Sequence, residues 1–379
     1  METKLLNGNN KEAIAEASKI LQDGGLVAFP TETVYGLGAD ALNADAAAKI
    51  YAAKGRPSDN PLIVHIADTD AVEKLADLET MNRTHPDMVK KAHMLMEAFW
   101  PGPLTIIFPK LAIVPDGTTG GLPTVAIRMP SHPIAQELIR TSGVSIAAPS
   151  ANTSGRPSPT TAQHVWEDMD GRIEMILDGG AVGIGIESTI VDMTGMIPTI
   201  LRPGFITKTM LSEIVGDVTI DPAIIEPDPN LRPKAPGMKY THYAPHGTLS
   251  IVEAVADESA NRASLHSGVK VSYNATEAET LRVAEKIKAL VNEKEAQGYK
   301  VAILTTKEHA SLYKNYSHVL IVGEGSKGQT ISARLYAALR ECDSEQMEYM
   351  YSEAFDQNEL GGAIMNRLLK AAGHRVITV

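Results

Sequence analysis

Residues 221–247 read DPAIIEPDPNLRPKAPGMKYTHYAPHG, and this stretch decides how the chain is divided into domains. It contains six prolines. Because proline fixes φ and lacks the amide hydrogen, such a run excludes a regular helix or a central strand. We therefore predict a proline-rich linker at 216–247, which separates a first domain at 1–215 from a second domain at 248–379.

Upstream of the linker, short apolar runs outnumber helical patterns, and several follow one another directly. Helices are predicted after the capping residue Asn10, ending at Gly24, and after Asn43, ending at Gly55. The predicted strands are 26–30, 62–66, 104–108, 124–128, 145–149, 173–177, 188–193 and 199–202. This order favours an α/β domain with a twisted mixed sheet over a regular βαβ winding.

Downstream of the linker, strands and helices alternate. Strands are predicted at 248–254, 269–274, 300–304 and 317–323, and helices at 276–298, 330–342 and around 359–373. Alternation of this kind indicates a smaller α/β domain with a parallel, Rossmann-like sheet. The chain is therefore expected to be α/β throughout.

Composition limits the classes of function. The 379 residues are 44% hydrophobic and carry a net charge of −11, which opposes a role as a nucleic-acid coat but leaves tRNA binding open. No apolar run approaches the ~18 residues of a membrane span, and no secretory signal is visible at the start. The single cysteine, Cys342, fits a cytoplasmic location.

Three polar loops carry the candidate chemistry. FPTETVYGLG (29–38) is interpreted as a polar loop that leaves a buried strand. KGRPSDNPL (54–62) places lysine and arginine beside serine and asparagine, a combination that can hold phosphate oxygens. PSANTSGRPSPT (149–160) offers hydroxyls and turn amides that can form an anion nest. A helix-end cation pair and a capped helix start are the simpler alternatives for the last two loops.

Two arginines, Arg128 and Arg202, end apolar strands at the edge where open α/β sheets bind ligands. Surface placement is the alternative for both arginines, and a buried core histidine is the alternative for His65. P-loop, zinc-ligand and nucleophile-elbow spacings are missing from the sequence. The residues alone therefore favour a pocket for a polyphosphate or nucleotide, with Mg²⁺ carried by the phosphates and catalysis by positioning.

FPTETVYGLG, KGRPSDNPL, PSANTSGRPSPT, ESTIVD and ILRPG, in this order, resemble the YrdC-type threonylcarbamoyl-AMP synthases. The length and the linker PGMKYTHYAP resemble the longer form of that family, with its added C-terminal domain. The resemblance implies that L-threonine, bicarbonate and ATP give threonylcarbamoyl-AMP and pyrophosphate. It also implies downstream transferase proteins, which move the threonylcarbamoyl group to adenosine 37 of tRNA.

The resemblance also assigns residues by their positions in these motifs. Contacts with L-threonine fall to Thr33, His65, Arg128, Ala148 and Ser188. Contacts with ATP fall to Arg56, Asn60, Thr124, Ser150, Asn152, Ser158, Arg202 and Tyr243. Lys54 and Arg56 are the implied catalytic residues, because they would neutralise phosphate charge, and no protein side chain is implied as a metal ligand.

The linker is interpreted as a lid in which Tyr243, with Lys239 or His242, approaches the nucleotide and excludes water. A stiff spacer is the alternative. Two other functions stay open: binding of double-stranded RNA or the ribosome by a basic face, and carbamoyl transfer from carbamoyl phosphate. Hydrogenase-maturation proteins with a YrdC-like domain perform the second of these, but they carry acylphosphatase and zinc-finger-like parts that this chain lacks.

Overall fold

The structure is a computed structural model, and it describes residues 2–224, 234–236, 242–254, 276–355 and 359–379. The chain forms two compact units. The first comprises Met1–Ser154 and Ser158–Tyr240, and the second comprises Gly155–Pro157 and Thr241–Val379. Much of the predicted linker, including Lys239, lies outside the described residues. The helices that the structure describes include none with the length and apolar character needed to cross a bilayer.

The first unit is built on one mixed sheet flanked by helices. Its strands are β1 (Lys4–Asn7), β2 (Val27–Pro30), β3 (Tyr35–Asp40), β4 (Ile63–His65), β5 (Leu104–Pro109), β6 (Thr124–Arg128), β7 (Ile146–Ala147), β8 (Met175–Asp178), β9 (Thr189–Asp192), β10 (Thr199–Arg202) and β11 (Thr219–Ile220). Its helices are α1 (Lys11–Gln22), α2 (Ala44–Lys54), α3 (Leu78–Thr84), α4 (Pro86–Phe99), α5 (Asp116–Thr119), α6 (Pro133–Ser142), α7 (Ala162–Met169) and α8 (Lys208–Val215).

The strand order is β1-β8-β2-β3-β7-β4-β6-β5-β9-β10-β11. The sheet contains both parallel pairs, such as β4 with β6, and antiparallel pairs, such as β5 with β6. The predicted mixed sheet is confirmed. Short loops reverse the chain between β2 and β3 and between β9 and β10, which makes these two pairs antiparallel.

One predicted loop is partly a strand. Residues 29–38 were expected to form a polar loop, but β3 begins at Tyr35 and pairs antiparallel with β2. Tyr35 and Leu37 are fully buried. The turn is confined to the residues between β2 and β3, so only the Thr-Glu-Thr-Val segment projects as a loop. The predicted strand 145–149 is correspondingly shorter, since β7 covers only Ile146–Ala147.

The two faces of the sheet are covered differently. Successive residues of a strand point to opposite faces. Ile106 and Phe108 join the large core cluster on one face, whereas Ile107 belongs to a small cluster with Ile63 and Ala126 on the other. A separate cluster beneath α1 and α6 covers the β2 end of the sheet. On the face that carries this small cluster, the polar side chains have few apolar neighbours.

The second unit contains a smaller sheet whose strands all run parallel. Its elements are β12 (Thr248–Glu253), α9 (Glu277–Ala296), β13 (Val301–Thr305), β14 (Val319–Ile321), α10 (Gly328–Ser344), β15 (Tyr349–Glu353), α11 (Leu360–Ala371) and β16 (Val376–Thr378). The order is β14-β13-β15-β12-β16, with every pair parallel. The prediction of a parallel α/β unit is confirmed. The predicted strand 269–274 lies outside the described residues, and the sequence interpretation missed β15 and β16.

Helix α10 packs against two other segments of the second unit. Tyr336 stacks on Tyr243 with ring centroids 5.2 Å apart. One helical turn later, Arg340 donates from Nε and Nη2 to the carbonyl oxygen of Pro157, at 3.1 and 2.7 Å. Asp343 forms an ion pair with Arg156 at 3.2 Å. Residues spaced four and three apart on a helix share one face, so this face of α10 holds both segments.

Candidate functional site

A polar row crosses three adjacent strands of the first unit. His65 on β4 lies beside Arg128 on β6, and Arg128 lies opposite Thr105 on β5. Neighbours in register project from the same face of a sheet. The apolar residues two positions earlier or later, Ile63 and Ala126 among them, belong to the small cluster on that face. The row therefore stands at the border of that cluster.

Arg128 is the centre of this row. The side chain is 4% exposed, which excludes the alternative of a surface position. Its Nη1 donates to Thr33 Oγ1 at 2.9 Å, and its Nε donates to the carbonyl oxygen of Gly102 at 3.3 Å. Its Nη2 donates to Glu32 Oε1 at 2.6 Å. A buried guanidinium held in one orientation is suited to bind a carboxylate.

His65 is buried and uncharged. Burial, followed by the positive charge of Arg128, lowers its pKa from 6.5 to about 3. Its Nδ1 lies 3.1 Å from the carbonyl oxygen of Ile63, so the backbone satisfies this nitrogen as a core histidine requires. Ala148 is anchored to the same strand, because its amide donates to the carbonyl oxygen of Ile63 at 2.9 Å. His65 is therefore a buried core histidine, as the alternative had it, and it also lies beside Arg128.

A second chain of polar contacts leads away from the row. Thr105 Oγ1 lies 2.7 Å from Ser188 Oγ. Arg202 Nη2 donates to the same Ser188 oxygen at 3.1 Å, and Arg202 Nε donates to the Ser188 carbonyl at 3.0 Å. Arg202 is 5% exposed, which again excludes a surface position. Four of the residues assigned to threonine, Thr33, His65, Arg128 and Ser188, are thus linked through the row and its contacts.

The residues assigned to ATP form several groups. Lys54, the last residue of α2, is 3% exposed, and its Nζ donates to the carbonyl oxygens of Ser150, at 2.5 Å, and of Asn152. Ser150 Oγ donates to Asn152 Oδ1 at 2.5 Å. Lys54 therefore fixes the shape of the loop that follows β7. A contact between its ammonium group and phosphate stays a prediction.

Arg56 and Asn60 lie in the loop that follows α2. Arg56 donates to the carbonyl oxygens of Asn60, at 3.3 Å, and of Pro61, at 3.2 Å. Asn60 is 2% exposed, and its Oδ1 is buried without a hydrogen-bond partner among the described residues. A buried acceptor left in this state normally awaits a donor from a ligand or water. Thr124 begins β6 on the same face as Arg128.

Ser158 is bound to a carboxylate that the sequence interpretation missed. Its Oγ donates to Glu187 Oε1 at 2.6 Å, and Glu187 is 7% exposed. Glu187 precedes Ser188, so Ser158 and the chain of Ser188 and Arg202 meet at one short segment. Tyr243 belongs to the second unit, and its predicted contact with the nucleotide stays a prediction.

Thr105 and Glu187 were not singled out from the sequence, and Glu32 was noted only as part of the polar loop, without a role of its own. Each had a local signal. Glu32 and Glu187 directly precede residues that were assigned, and Thr105 is the only polar side chain in the strand LTIIF. Their importance depends on contacts with residues 29 to 96 positions away in the chain, which the sequence does not show.

The residues that the structure describes form no evident metal-binding site. They include no group of three or more histidine, cysteine, aspartate or glutamate side chains arranged to hold an ion. Magnesium usually keeps several waters and is held through substrate phosphates with few protein ligands. The donor set of this site, rich in Arg, Lys and hydroxyl groups, fits a cation that arrives with a polyphosphate.

Two family models match the chain. The model described as "Telomere recombination", of the Sua5, YciO and YrdC proteins, matches residues 19–204. The model described as "Threonylcarbamoyl-AMP synthase, C-terminal domain" matches residues 206–373. Together they account for both units of the fold.

Curated relatives match over nearly the whole length. Threonylcarbamoyl-AMP synthase of Bacillus subtilis is 46% identical, over 97% of this chain and 95% of its own. The protein of the same name from Pyrococcus abyssi is 41% identical over 98% of each chain. A crystal structure of Pyrococcus abyssi Sua5 complexed with L-threonine superposes with a TM-score of 0.84, at 40% identity and with full coverage of both chains.

Proposed function

The chain belongs to the threonylcarbamoyl-AMP synthase family in its two-domain form, and on this premise we propose that it converts L-threonine, bicarbonate and ATP to threonylcarbamoyl-AMP and pyrophosphate. The buried guanidinium of Arg128, oriented by Thr33 and Glu32, is the observation that carries the proposal. The relative solved with L-threonine supports an amino acid as the ligand. The product would pass to proteins that modify adenosine 37 of tRNA, and a cytoplasmic location is part of the proposal.

In this mechanism the threonine carboxylate binds Arg128, and neutral His65 and the Ser188 hydroxyl border the amino acid. The neutral amine attacks carbon dioxide, with loss of one proton, or bicarbonate, with loss of water, and a carbamate forms. A carbamate oxygen then attacks the α-phosphorus of ATP, and pyrophosphate leaves. Because the attacking group is already an anion, the chain needs to align the reactants and to neutralise charge rather than to supply a strong base.

ATP would lie beside the amino acid, with its phosphates near Arg56, Arg202 and the loop that Lys54 shapes. Arginine forks hold phosphate oxygens in pairs, and the Asn60 oxygen, which has no partner in the described part of the chain, offers an acceptor to the nucleotide. Magnesium, when bound, would neutralise the leaving pyrophosphate, and it would enter with ATP. Transfer of the adenylyl group places the reaction among nucleotidyl transfers.

The decisive experiment measures pyrophosphate release with and without L-threonine and bicarbonate. We expect release to require both. Arg128→Lys should raise the KM for threonine about tenfold or more and leave the KM for ATP nearly unchanged, because lysine keeps the charge but loses a charge-assisted fork that contributes ~1.5–3 kcal/mol. Arg140→Lys, an arginine on α6 outside the polar row, is the matched control.

Pyrophosphate release that ignores threonine would contradict the proposed function. Dependence on carbamoyl phosphate instead of bicarbonate would favour the carbamoyl-transfer alternative. An RNA affinity that falls steeply with salt, without threonine-dependent turnover, would favour the RNA-binding alternative.

A further inference from the structure

Glu32 lies in the short turn between β2 and β3 and faces Arg128. Its side chain is 14% exposed. Oε1 accepts from Arg128 Nη2 at 2.6 Å, and Oε2 accepts from the amide of Ser131 at 3.1 Å. Both oxygens are thus fixed in position. Each carboxylate oxygen can accept about two hydrogen bonds, so acceptor capacity remains on both.

Arg128 keeps donor capacity as well. A guanidinium has five N–H donors, and three of those of Arg128 point to Gly102, Thr33 and Glu32. Glu32 occupies only one position of the fork. Both members of the ion pair therefore keep capacity for further hydrogen bonds. They place a positive group and a negative group side by side.

This arrangement is the electrostatic complement of an amino acid zwitterion. An α-amino acid carries its carboxylate and its ammonium group on the same carbon, and its net charge is zero. A pocket with one adjacent cation and anion can satisfy both groups without leaving an uncompensated buried charge, which would be costly. A lone arginine would satisfy only the carboxylate.

We propose that Glu32 binds the α-ammonium group of the substrate while Arg128 binds its carboxylate, so that Glu32 is a specificity-determining residue for a free amino acid. This inference rests on the proposed function, which places the substrate carboxylate on Arg128. When bicarbonate converts the ammonium group to the carbamate, one of its hydrogens leaves in water and one is released as a proton, and the remaining N–H can still donate to Glu32. The contact can therefore persist while the carbamate oxygen is aligned with ATP.

The test compares L-threonine with 3-hydroxybutyrate, which lacks only the amino group, by calorimetric titration of the full chain. Wild-type protein should prefer threonine. Glu32→Gln should weaken threonine binding about 10- to 100-fold, the range expected for a hydrogen bond to a charged group, and change 3-hydroxybutyrate binding by less than about threefold. Glu32→Asp, which retains the charge, should recover part of the loss.

Glu174→Gln is the matched control, because Glu174 also accepts a backbone amide, that of Leu26 at 2.8 Å, but lies outside the polar row. It should leave both affinities unchanged. Equal weakening of both ligands by Glu32→Gln would overturn the inference and reduce Glu32 to a residue that merely holds Arg128. Unchanged threonine binding would overturn it too. A wild-type protein that binds neither ligand would instead overturn the proposed function, and this inference with it.

Discussion

At the scale of single residues, burial determines which groups carry charge in the polar row. His65 and Arg128 are neighbours in register, and only the arginine is charged near neutral pH, because burial and the arginine together lower the pKa of the histidine to about 3. Glu32 supplies the balancing negative charge. Within the row, Arg128 is therefore the one charged side chain, and it is paired with Glu32 and bordered by neutral His65 and Thr105.

The buried histidine makes folding depend on pH. The unfolded chain binds a proton at this histidine below pH 6.5, whereas folded His65 stays neutral down to about pH 3, so stability must fall as the pH falls through this window. Between pH 7 and pH 5 the loss from this group is about 2 kcal/mol, from the linkage relation for one site. Urea denaturation at both pH values should show a smaller loss for His65→Gln. Equal losses would contradict the assignment.

At the scale of elements, the end of α2 determines how two site residues are presented. Gly55 follows Lys54 with φ of 61°, and the amide of Arg56 returns to the carbonyl oxygen of Tyr51 at 2.9 Å. This left-handed residue ends the helix and separates Lys54, directed to the 150–152 loop, from Arg56, directed to the 60–61 segment. The glycine between Lys54 and Arg56 therefore directs these two side chains to different segments.

Gly55→Ala tests whether the left-handed turn directs Arg56. The substitution adds no steric clash, since no atom lies within 4 Å of the added Cβ position. The substitution should cost about 1 kcal/mol of unfolding free energy through the positive φ alone. It should also raise the KM for ATP. Gly143→Ala, at the end of α6 with φ of 66° and equally open space, should cost a similar amount and leave the KM unchanged. Equal kinetic effects would show that the turn does not direct Arg56.

At the scale of the whole molecule, each unit has hydrophobic clusters of its own. The clusters of the first unit include Phe108 and lie on both faces of the mixed sheet. One in the second unit packs α9 against the parallel sheet. Both tryptophans, Trp100 and Trp166, belong to the first unit. Tryptophan fluorescence therefore reports on one unit, and far-ultraviolet circular dichroism reports on both.

Tyr336→Ala should separate these two signals. Tyr336 is fully buried in α10, and truncation of a buried aromatic side chain costs ~3–5 kcal/mol. In urea denaturation we expect an earlier transition in circular dichroism and little change in fluorescence. Phe108→Ala is the converse control and should move the fluorescence transition. A common shift of both signals for Tyr336→Ala would show that the units unfold together.

The sequence by itself determined the class of both sheets and the helices with strong caps, whereas the roles assigned to the site residues by motif stay predictions. These features depend on local periodicity, on capping side chains and on short motifs, all of which are written in consecutive residues. Asn43, for example, accepts from the amides of Asp45 and Ala46, as expected for a cap.

Only the tertiary structure decided which strands are neighbours, and hence which polar side chains meet. Tyr35–Asp40 looked like a loop because glycines interrupt it, yet pairing with β2 makes it a strand. The contact of Glu32 with Arg128 joins residues 96 positions apart. Such contacts depend on strand register and on burial, which arise only when distant segments pack together, so no local pattern could have specified them.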